Sequence, residues 1–259
     1  MATALITGAS SGIGAVFADR LAAEGNHLVL VARSQDKLTA IAQDLSQRYG
    51  IKADVIAQDL VEPDAATQVF TTASDRGHTI DMLINNAGFG LHGAFTTRDR
   101  QTQLDMIQLN VTALVDLTYQ FLPGMQARQQ GSIINVASTA AFQAIPYFAV
   151  YAATKAFVLS FSEALWHECS HDGVKVLALC PGPTETEFFK VADFPSTMEN
   201  QMGQNYASPE AVVEDALKAL ARGHSNVVTG GVMNQVLVNA SRLFPREMLV
   251  NSVGRFFKG

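Results

Sequence analysis

The stretch TALITGASSGIG, residues 3–14, joins an apolar strand to a helix through a glycine-rich turn. Glycines at these positions let the chain turn sharply and let backbone N–H groups approach a pyrophosphate, which then rests on the positive end of the helix. A glycine-rich turn that holds no ligand is the alternative, because short glycine patterns recur by chance. The place directly after the first strand favours a nucleotide site, whose expected members are Gly8, Ser10, Ser11, Gly12, Ile13 and Gly14.

The rest of the chain repeats the order strand, helix, strand. Apolar runs near residues 3–7, 27–32, 53–58, 81–85, 132–137, 174–180 and 225–229 alternate with segments of helical period. Continuous apolar strands are typical of a parallel sheet that is buried on both faces. We therefore expect a doubly wound, Rossmann-like three-layer α/β/α sandwich with a seven-stranded parallel sheet. We expect one domain over residues 1–259, with a substrate loop at about 183–207 and a C-terminal extension at about 230–259.

Composition argues against several other classes of function. A net charge of −6 without a long run of Lys or Arg disfavours nucleic acid as a partner. The six histidines show no metal-ligand spacing, so we expect no metal. The apolar runs are too short to span a membrane and the glycine motif begins at once, which predicts a soluble, cytoplasmic protein. Cys169 and Cys180 lie in helical and strand patterns, and we expect both to be reduced and structural.

The second strand ends in Ala32-Arg33, about 20 residues past the glycine motif, where a dinucleotide fold chooses between NAD and NADP. An acid there would bind the ribose 2′-hydroxyl, whereas a small residue and a guanidinium leave room for a 2′-phosphate and neutralise it. The alternatives are that Arg33 is only a surface charge, or that Asp36 takes the place of the acid. We expect NADP(H) rather than NAD(H).

Tyr151 and Lys155 are four residues apart, so on a helix they point the same way. An unperturbed tyrosine has a pKa of about 10, and a nearby ammonium is expected to lower it. Ser138 ends an apolar strand and can hold a substrate oxygen against Tyr151 while a nicotinamide supplies hydride. Each residue alone would more often be structural: a half-buried tyrosine, a solvated lysine, a capping serine. Their joint presence with a nucleotide motif favours catalysis.

With Asn85-Asn86-Ala87-Gly88 after the fourth strand, these motifs resemble those of the compact, single-domain short-chain dehydrogenases/reductases over residues 3 to 230. The resemblance implies that Lys155 also binds the nicotinamide ribose, and that Asn110 holds a water behind it. It implies a homodimer or homotetramer built on the helices near 100–126 and 151–170. One departure from the family is Thr184, where an aliphatic residue is usual. The further cofactor contacts that the family resemblance implies are Asp59, Leu60, Asn86, Ala87, Gly88, Pro181, Gly182, Thr184 and Thr186.

These observations predict an NADP(H)-dependent oxidoreductase that acts on a ketone, an aldehyde or a secondary alcohol. An NADP(H)-binding scaffold or redox sensor without turnover is the alternative, since a fold alone does not fix function. The tail after Gly230 mixes basic and large apolar residues and could cover a neighbouring subunit, close the pocket or touch a membrane. A fairly large apolar substrate is expected from a wall composed of Phe89, Leu91, Thr139, Phe142, Pro146, Tyr147, Phe148, Phe188, Phe189, Phe194 and Met198.

Overall fold

A computed structural model of the chain describes residues 1–195, 206–240 and 244–258. The strands are β1 (Thr3–Thr7), β2 (His27–Ala32), β3 (Ala53–Ala57), β4 (Met82–Asn85), β5 (Gly131–Val136), β6 (Val174–Pro181) and β7 (Asn226–Thr229). All pair in parallel in one sheet of order β3-β2-β1-β4-β5-β6-β7. The predicted doubly wound, seven-stranded fold is confirmed, and the predicted strand bounds agree with the observed ones to within a residue or so at each end.

Helices connect these strands and cover the sheet. Those that the structure describes are α1 (Gly12–Ala23), α2 (Gln35–Tyr49), α3 (Ala65–Asp75), α4 (Arg100–Ile107), α5 (Leu114–Ala127), α6 (Ala149–Glu168), α7 (Phe188–Val191), α8 (Pro209–Ala221), α9 (Val232–Ala240) and α10 (Arg246–Phe257). A π-helical segment, Gln108–Ala113, joins α4 to α5, and short 3₁₀ turns occur at Phe95–Thr97, Thr139–Phe142 and Cys169–His171.

Alternate side chains of each central strand enter opposite cores, as the period of a strand requires. Ile6 of β1 packs in the core formed with α1, α2 and α8, while the neighbouring Leu5 packs in the core formed with α3 and α5. Both side chains are completely buried. A strand covered on both faces has no polar face, which explains the continuous apolar runs of the sequence.

The direction of chain crossover reverses between β1 and β4, and ligands of such folds bind at the carboxyl ends of the strands at this point. Gly8 directly follows β1, and Asn86 directly follows β4. Ser138 lies two residues after the end of β5, and Pro181 ends β6. The parallel register therefore brings segments that are far apart in sequence to one edge of the sheet.

Candidate active site

All of the predicted site residues except Gly14 and Asn110 line one cavity of about 1090 Å³ at this edge of the sheet. The cavity runs from the glycine turn and the ends of β2 and β3, past Tyr151, to an apolar end. Its lining thus includes Gly8, Ser10, Ser11, Gly12, Ile13, Arg33, Asp59, Leu60, Asn86, Ala87, Gly88, Ser138, Tyr151, Lys155, Pro181, Gly182, Thr184 and Thr186.

The glycine turn has a backbone conformation that favours glycine. Gly8 and Gly12 have φ angles of +65° and +54°, in the left-handed region. A Cβ on Gly14 would run into the carbonyl oxygen of Gly8, which explains why Gly14 supports the turn without lining the cavity. The turn thereby leaves open space in front of the first turn of α1, where backbone N–H groups are free of intrahelical partners.

The segment after β4 supports the glycine turn through Asn86. Its Nδ2 donates to the carbonyl oxygen of Thr7 at 2.9 Å. The Thr7 hydroxyl accepts hydrogen bonds from the backbone N–H groups of Asn86 and Ala87, both at 3.0 Å. These bonds fix the two walls of the cleft relative to each other, so Asn86 has a structural task besides lining the cavity.

At the other end of the nucleotide cleft, Ala32, Arg33 and Ser34 follow β2 and line the cavity. The Arg33 side chain is 78% exposed, and its Nη1 lies 4.0 Å from Oδ2 of Asp59. The other oxygen of Asp59 accepts from the backbone N–H of Val61 at 3.1 Å. Asp36, the competing acid, lies in the first turn of α2 and is not among the described residues that line the cavity.

Tyr151 and Lys155 lie on the same face of α6 and are buried, at 7% and 5% exposure. The ammonium Nζ of Lys155 donates to the carbonyl oxygen of Val136, the last residue of β5, at 2.7 Å. It lies 5.7 Å from the centroid of the Tyr151 ring. Ser138, two residues after Val136, accepts a hydrogen bond from the N–H of Ala140 at 3.0 Å. The end of β5 thus holds both Ser138 and Lys155 in place beside Tyr151.

Burial controls the pKa values of this group. It raises the pKa of Tyr151 to about 12, and a hydrogen bond with Ser138 opposes the rise. Burial also lowers the pKa of Lys155 to about 8, since the charged form loses its hydration. The net shift in the pKa of Tyr151 is upward because burial is its largest cause, and the opposing effect expected from the Lys155 ammonium stays a prediction. The phenol remains protonated at neutral pH.

Asn110 lies in the π-helical segment rather than in the regular helix expected from the sequence. Its side-chain oxygen accepts from the N–H of Phe89 at 3.1 Å, and its Nδ2 donates to the Phe89 carbonyl at 3.0 Å and to the Thr154 hydroxyl at 3.1 Å. A Cβ on Gly88 would lie 2.8 Å from the Asn110 oxygen and 3.5 Å from Lys155 Nζ. Asn110 therefore ties the strand-end segment 88–89 to α6 from behind the cavity wall.

The segment after β6 lines the cavity. Thr184 is buried, and its hydroxyl donates to the Gly182 carbonyl at 2.9 Å. Thr184 also forms a parallel bridge with Ala207, which closes the base of the expected substrate loop. A Cβ on Gly12 would lie 3.3 Å from the Thr186 methyl carbon, so Thr186 reaches the glycine turn. Both threonines line the cavity.

Aromatic rings form much of the apolar end. Phe148 stacks on Tyr151 with ring centroids 4.4 Å apart, and the Phe188 ring lies 5.3 Å from Tyr151. Of the predicted wall, Phe89, Thr139, Phe142, Phe148, Phe188, Phe189 and Phe194 line the cavity. Leu91, Pro146 and Tyr147 are not among the described lining residues, and Met198 lies outside the described residues.

The sequence-based prediction did not assign the C-terminal helices to the site. Asn234, Leu237 and Val238 of α9 and Ser252, Val253, Phe256 and Phe257 of α10 line the cavity. Closing the pocket was one of three alternatives for the tail, and the structure supports it. The mixture of apolar and basic residues in this tail was the available signal, but it did not specify which surface the helices would cover.

Two kinds of feature are not found in the described part of the chain. Neither a cluster of His, Cys, Asp and Glu suited to a metal ion nor a helix long and apolar enough to cross a bilayer occurs there. Cys169 and Cys180 are both free and buried, as expected from the sequence.

The chain is similar to known proteins in both sequence and structure. The model of the short chain dehydrogenase family matches residues 2–194. The very-long-chain 3-oxoacyl-CoA reductase of Bos taurus is 30% identical over 246 residues, which cover 93% of this chain and 75% of that protein. The solved structure of a short-chain dehydrogenase from Sphingobium yanoikuyae in complex with NADPH is 32% identical, with a TM-score of 0.83 and 94% of each chain covered. The bulky-bulky ketone specific alcohol dehydrogenase from Comamonas testosteroni is 31% identical, with a TM-score of 0.78, and 94% of this chain and 92% of that one are covered.

Proposed function

Because the chain belongs to the short-chain dehydrogenase family of oxidoreductases, we propose that it interconverts a ketone or aldehyde and the matching alcohol with NADP(H), through Tyr151, Lys155, Ser138 and Asn110. One observation carries the proposal: the buried Tyr151 and Lys155 line the same continuous cavity as the glycine turn. A phenol and an ammonium so placed can act on a substrate at the end of a bound dinucleotide.

The glycine turn fits a dinucleotide. Gly8 and Gly12 have positive φ angles, and a Cβ on either residue would press on the facing segments of the cleft, Asn86 and Ala87 for Gly8 and Thr186 for Gly12. When bound, the nicotinamide supplies or accepts the hydride. The proposed further contacts with the cofactor are Ser10, Ser11, Ile13, Asp59, Leu60, Asn86, Ala87, Gly88, Pro181, Gly182, Thr184 and Thr186.

Tyr151 is the proposed proton donor for carbonyl reduction. A pKa of about 12 keeps its phenol protonated at neutral pH, and the Ser138 hydroxyl can hold the carbonyl oxygen beside it. With a pKa of about 8, Lys155 is mostly an ammonium at pH 7, so it stabilises the phenolate that remains after proton transfer. Asn110 positions this pair by tying segment 88–89 to Thr154 of the same helix.

Arg33 supports NADP(H) over NAD(H). It follows β2, lines the nucleotide cleft and is largely exposed, so its guanidinium is available to a 2′-phosphate. Asp36 is absent from the described lining of this cleft. The NADPH bound to the Sphingobium relative agrees with this preference.

A fairly large apolar carbonyl compound fits the far end of the cavity best. Phenylalanine side chains from four separate segments line it, and such a surface gains free energy when it buries apolar ligand area. The named substrates of the bovine and Comamonas relatives, a very-long-chain oxoacyl thioester and bulky-bulky ketones, are both large.

The experiment measures oxidation of NADPH and of NADH with ketones of increasing size, from acetone to benzophenone. We expect turnover with NADPH and the highest kcat/KM with bulky apolar ketones. Equal kcat/KM for acetone and benzophenone would contradict the substrate assignment. If no ketone or aldehyde is reduced despite tight NADPH binding, the proposed oxidoreductase activity is contradicted.

Self-association through α5 and α6 is a further part of the proposal. Tyr119 of α5 is 75% exposed, and Phe157 of α6 is 45% exposed and stacks on Phe161 with centroids 5.9 Å apart. Exposed aromatic residues are typical of protein interfaces. Sedimentation of the wild type is expected to give a dimer or tetramer, and Phe157→Glu is expected to dissociate it. A wild-type monomer would overturn this part.

A further inference from the structure

The outer wall of the apolar cavity consists partly of α10, which lies outside the strand-helix repeat. Val253 and Phe257 pack against the aromatic cluster around Tyr151, and Phe256 also lines the cavity. Much of the rest of α10 is exposed, including Met248 and Arg255. Its place on the protein therefore depends on a small number of contacts at its inner face.

His92 makes contacts with two segments around this wall. It is only 5% exposed and lies in the segment that follows β4. Its backbone N–H donates to the carbonyl of Ala192 at 2.8 Å, and its ring lies 4.7 Å from the ring of Phe194. Its Nε2 lies 3.1 Å from the carbonyl oxygen of Phe257, the last residue of α10. His92 thus joins the substrate-loop side of the cavity to the C-terminal helix.

The bond to Phe257 has a definite direction. A carbonyl oxygen only accepts, so Nε2 carries the proton and donates it. The Phe257 carbonyl is among the last four of its helix, which have no intrahelical partner. A buried donor aimed at such a carbonyl caps the helix end and fixes its position.

A second contact keeps α10 close to the start of α6. A Cβ on Gly254 would lie 3.1 Å from Cγ of Pro146, so the helix approaches the segment before α6 closely. Tyr147 in that segment accepts a hydrogen bond at its carbonyl from the N–H of Gly93, next to His92, at 2.7 Å. The His92 segment therefore contacts both α10 and the residues that lead into the helix of Tyr151.

We propose that His92 is a positioning residue that determines specificity: its bond to Phe257 holds α10 against the cavity and so sets the affinity for bulky apolar substrates. The proposal rests on the proposed reductase function. His92 is not among the described residues that line the cavity, so it acts through Phe257 and its neighbours. Small ketones held at Ser138 and Tyr151 do not reach this wall, and their turnover does not depend on it.

Two variants separate the effect of the hydrogen-bond donor of His92 from that of its aromatic ring. His92→Phe keeps an aromatic ring and the backbone bond to Ala192 but removes the donor to Phe257. His92→Gln restores an N–H close to the position of Nε2. His78→Phe is the matched control, because the His78 ring lies near the amino ends of the strands, away from the cavity, with its Nε2 2.8 Å from Oδ2 of Asp54.

The assay compares benzophenone with acetone in each variant, using NADPH. In His92→Phe we expect the KM for benzophenone to rise about tenfold, which corresponds to the loss of one well-placed contact, while its kcat stays within about twofold. The kinetic constants for acetone should stay within about twofold of wild type, and His92→Gln should recover most of the benzophenone KM. An unchanged benzophenone KM in His92→Phe, or an equal rise for acetone, would overturn the proposal.

Hydrogen–deuterium exchange of residues 246–258 tests the same bond without turnover. Exchange there should be faster in His92→Phe than in wild type and near wild type in His92→Gln and His78→Phe. Equal exchange in His92→Phe and wild type would overturn the role of His92. If no ketone is reduced but the exchange differs as expected, the proposed function fails while the contact between His92 and α10 stands.

Discussion

Lys155→Met should stabilise the protein at neutral pH although it removes a residue of the reaction centre. Lys155 is buried, and burial lowers its pKa from the usual 10.5 to about 8. At 1.36 kcal/mol per pKa unit, holding the ammonium in the fold costs ~3 kcal/mol. The variant loses the hydrogen bond to the Val136 carbonyl, worth ~1 kcal/mol. The expected net gain in the free energy of unfolding is therefore ~2 kcal/mol at pH 7.

The pH dependence of this gain follows from the direction of the pKa shift. Between pH 8 and 10.5 the unfolded chain holds a proton at Lys155 that the folded chain has lost, so the wild-type free energy of unfolding rises with pH. Lys155→Met lacks this rise, since it has no titrating group there. The advantage of the variant should shrink across this window by ~3 kcal/mol and end at or below zero.

Urea denaturation of the ligand-free protein at a series of pH values measures the difference. Lys175→Met is the matched control, because Lys175 also donates to a backbone carbonyl, that of Ala221 at 3.2 Å, but is exposed. The control should change the free energy of unfolding by less than ~0.5 kcal/mol at every pH. Destabilisation by Lys155→Met at pH 7, or a difference independent of pH, would refute the assignment of a buried, charged Lys155.

Three further predictions concern the cofactor and the reaction. Gly14→Ala should weaken NADPH binding at least about a hundredfold, because the new Cβ would meet the Gly8 carbonyl. Calorimetry measures the Kd, and the control Gly124→Ala in α5 should leave it unchanged. Arg33→Ala should raise the Kd for NADPH about tenfold and leave that for NADH unaltered; equal losses for both would argue against a 2′-phosphate contact. The kcat/KM for ketone reduction should fall as pH rises through about 8, where Lys155 loses its charge, and a flat profile to pH 9 would contradict this.

Much of the fold could be predicted because the physics that sets it is local. Strands buried on both faces must be apolar throughout, and Leu28 to Val31 is such a run. The glycine turn could also be predicted from the sequence, since Gly8 and Gly12 adopt left-handed φ angles that strongly favour glycine. The four-residue spacing of Tyr151 and Lys155 gave the shared face of α6 without any tertiary information.

Other features depend on tertiary contacts that a single sequence does not encode visibly. The pKa of Tyr151 rises because the side chain is buried, and the burial of a tyrosine cannot be predicted from helical spacing. In the π-helical turn, the Asn110 side chain forms hydrogen bonds with Phe89 and Thr154, two residues that are distant in sequence. The part of α10 in the cavity wall likewise follows from where the helix packs, since its apolar residues suit several surfaces equally.

The role of Tyr151 as proton donor is tested by the kcat/KM of Tyr151→Phe for a bulky ketone with NADPH, measured beside the Kd for NADPH. Phenylalanine keeps the stacking on Phe148 and removes only the proton donor. We expect a loss in kcat/KM of about 10²–10⁴-fold with a Kd within about twofold of wild type. A variant that retains more than about a tenth of wild-type kcat/KM would contradict the assignment of Tyr151 as the proton donor.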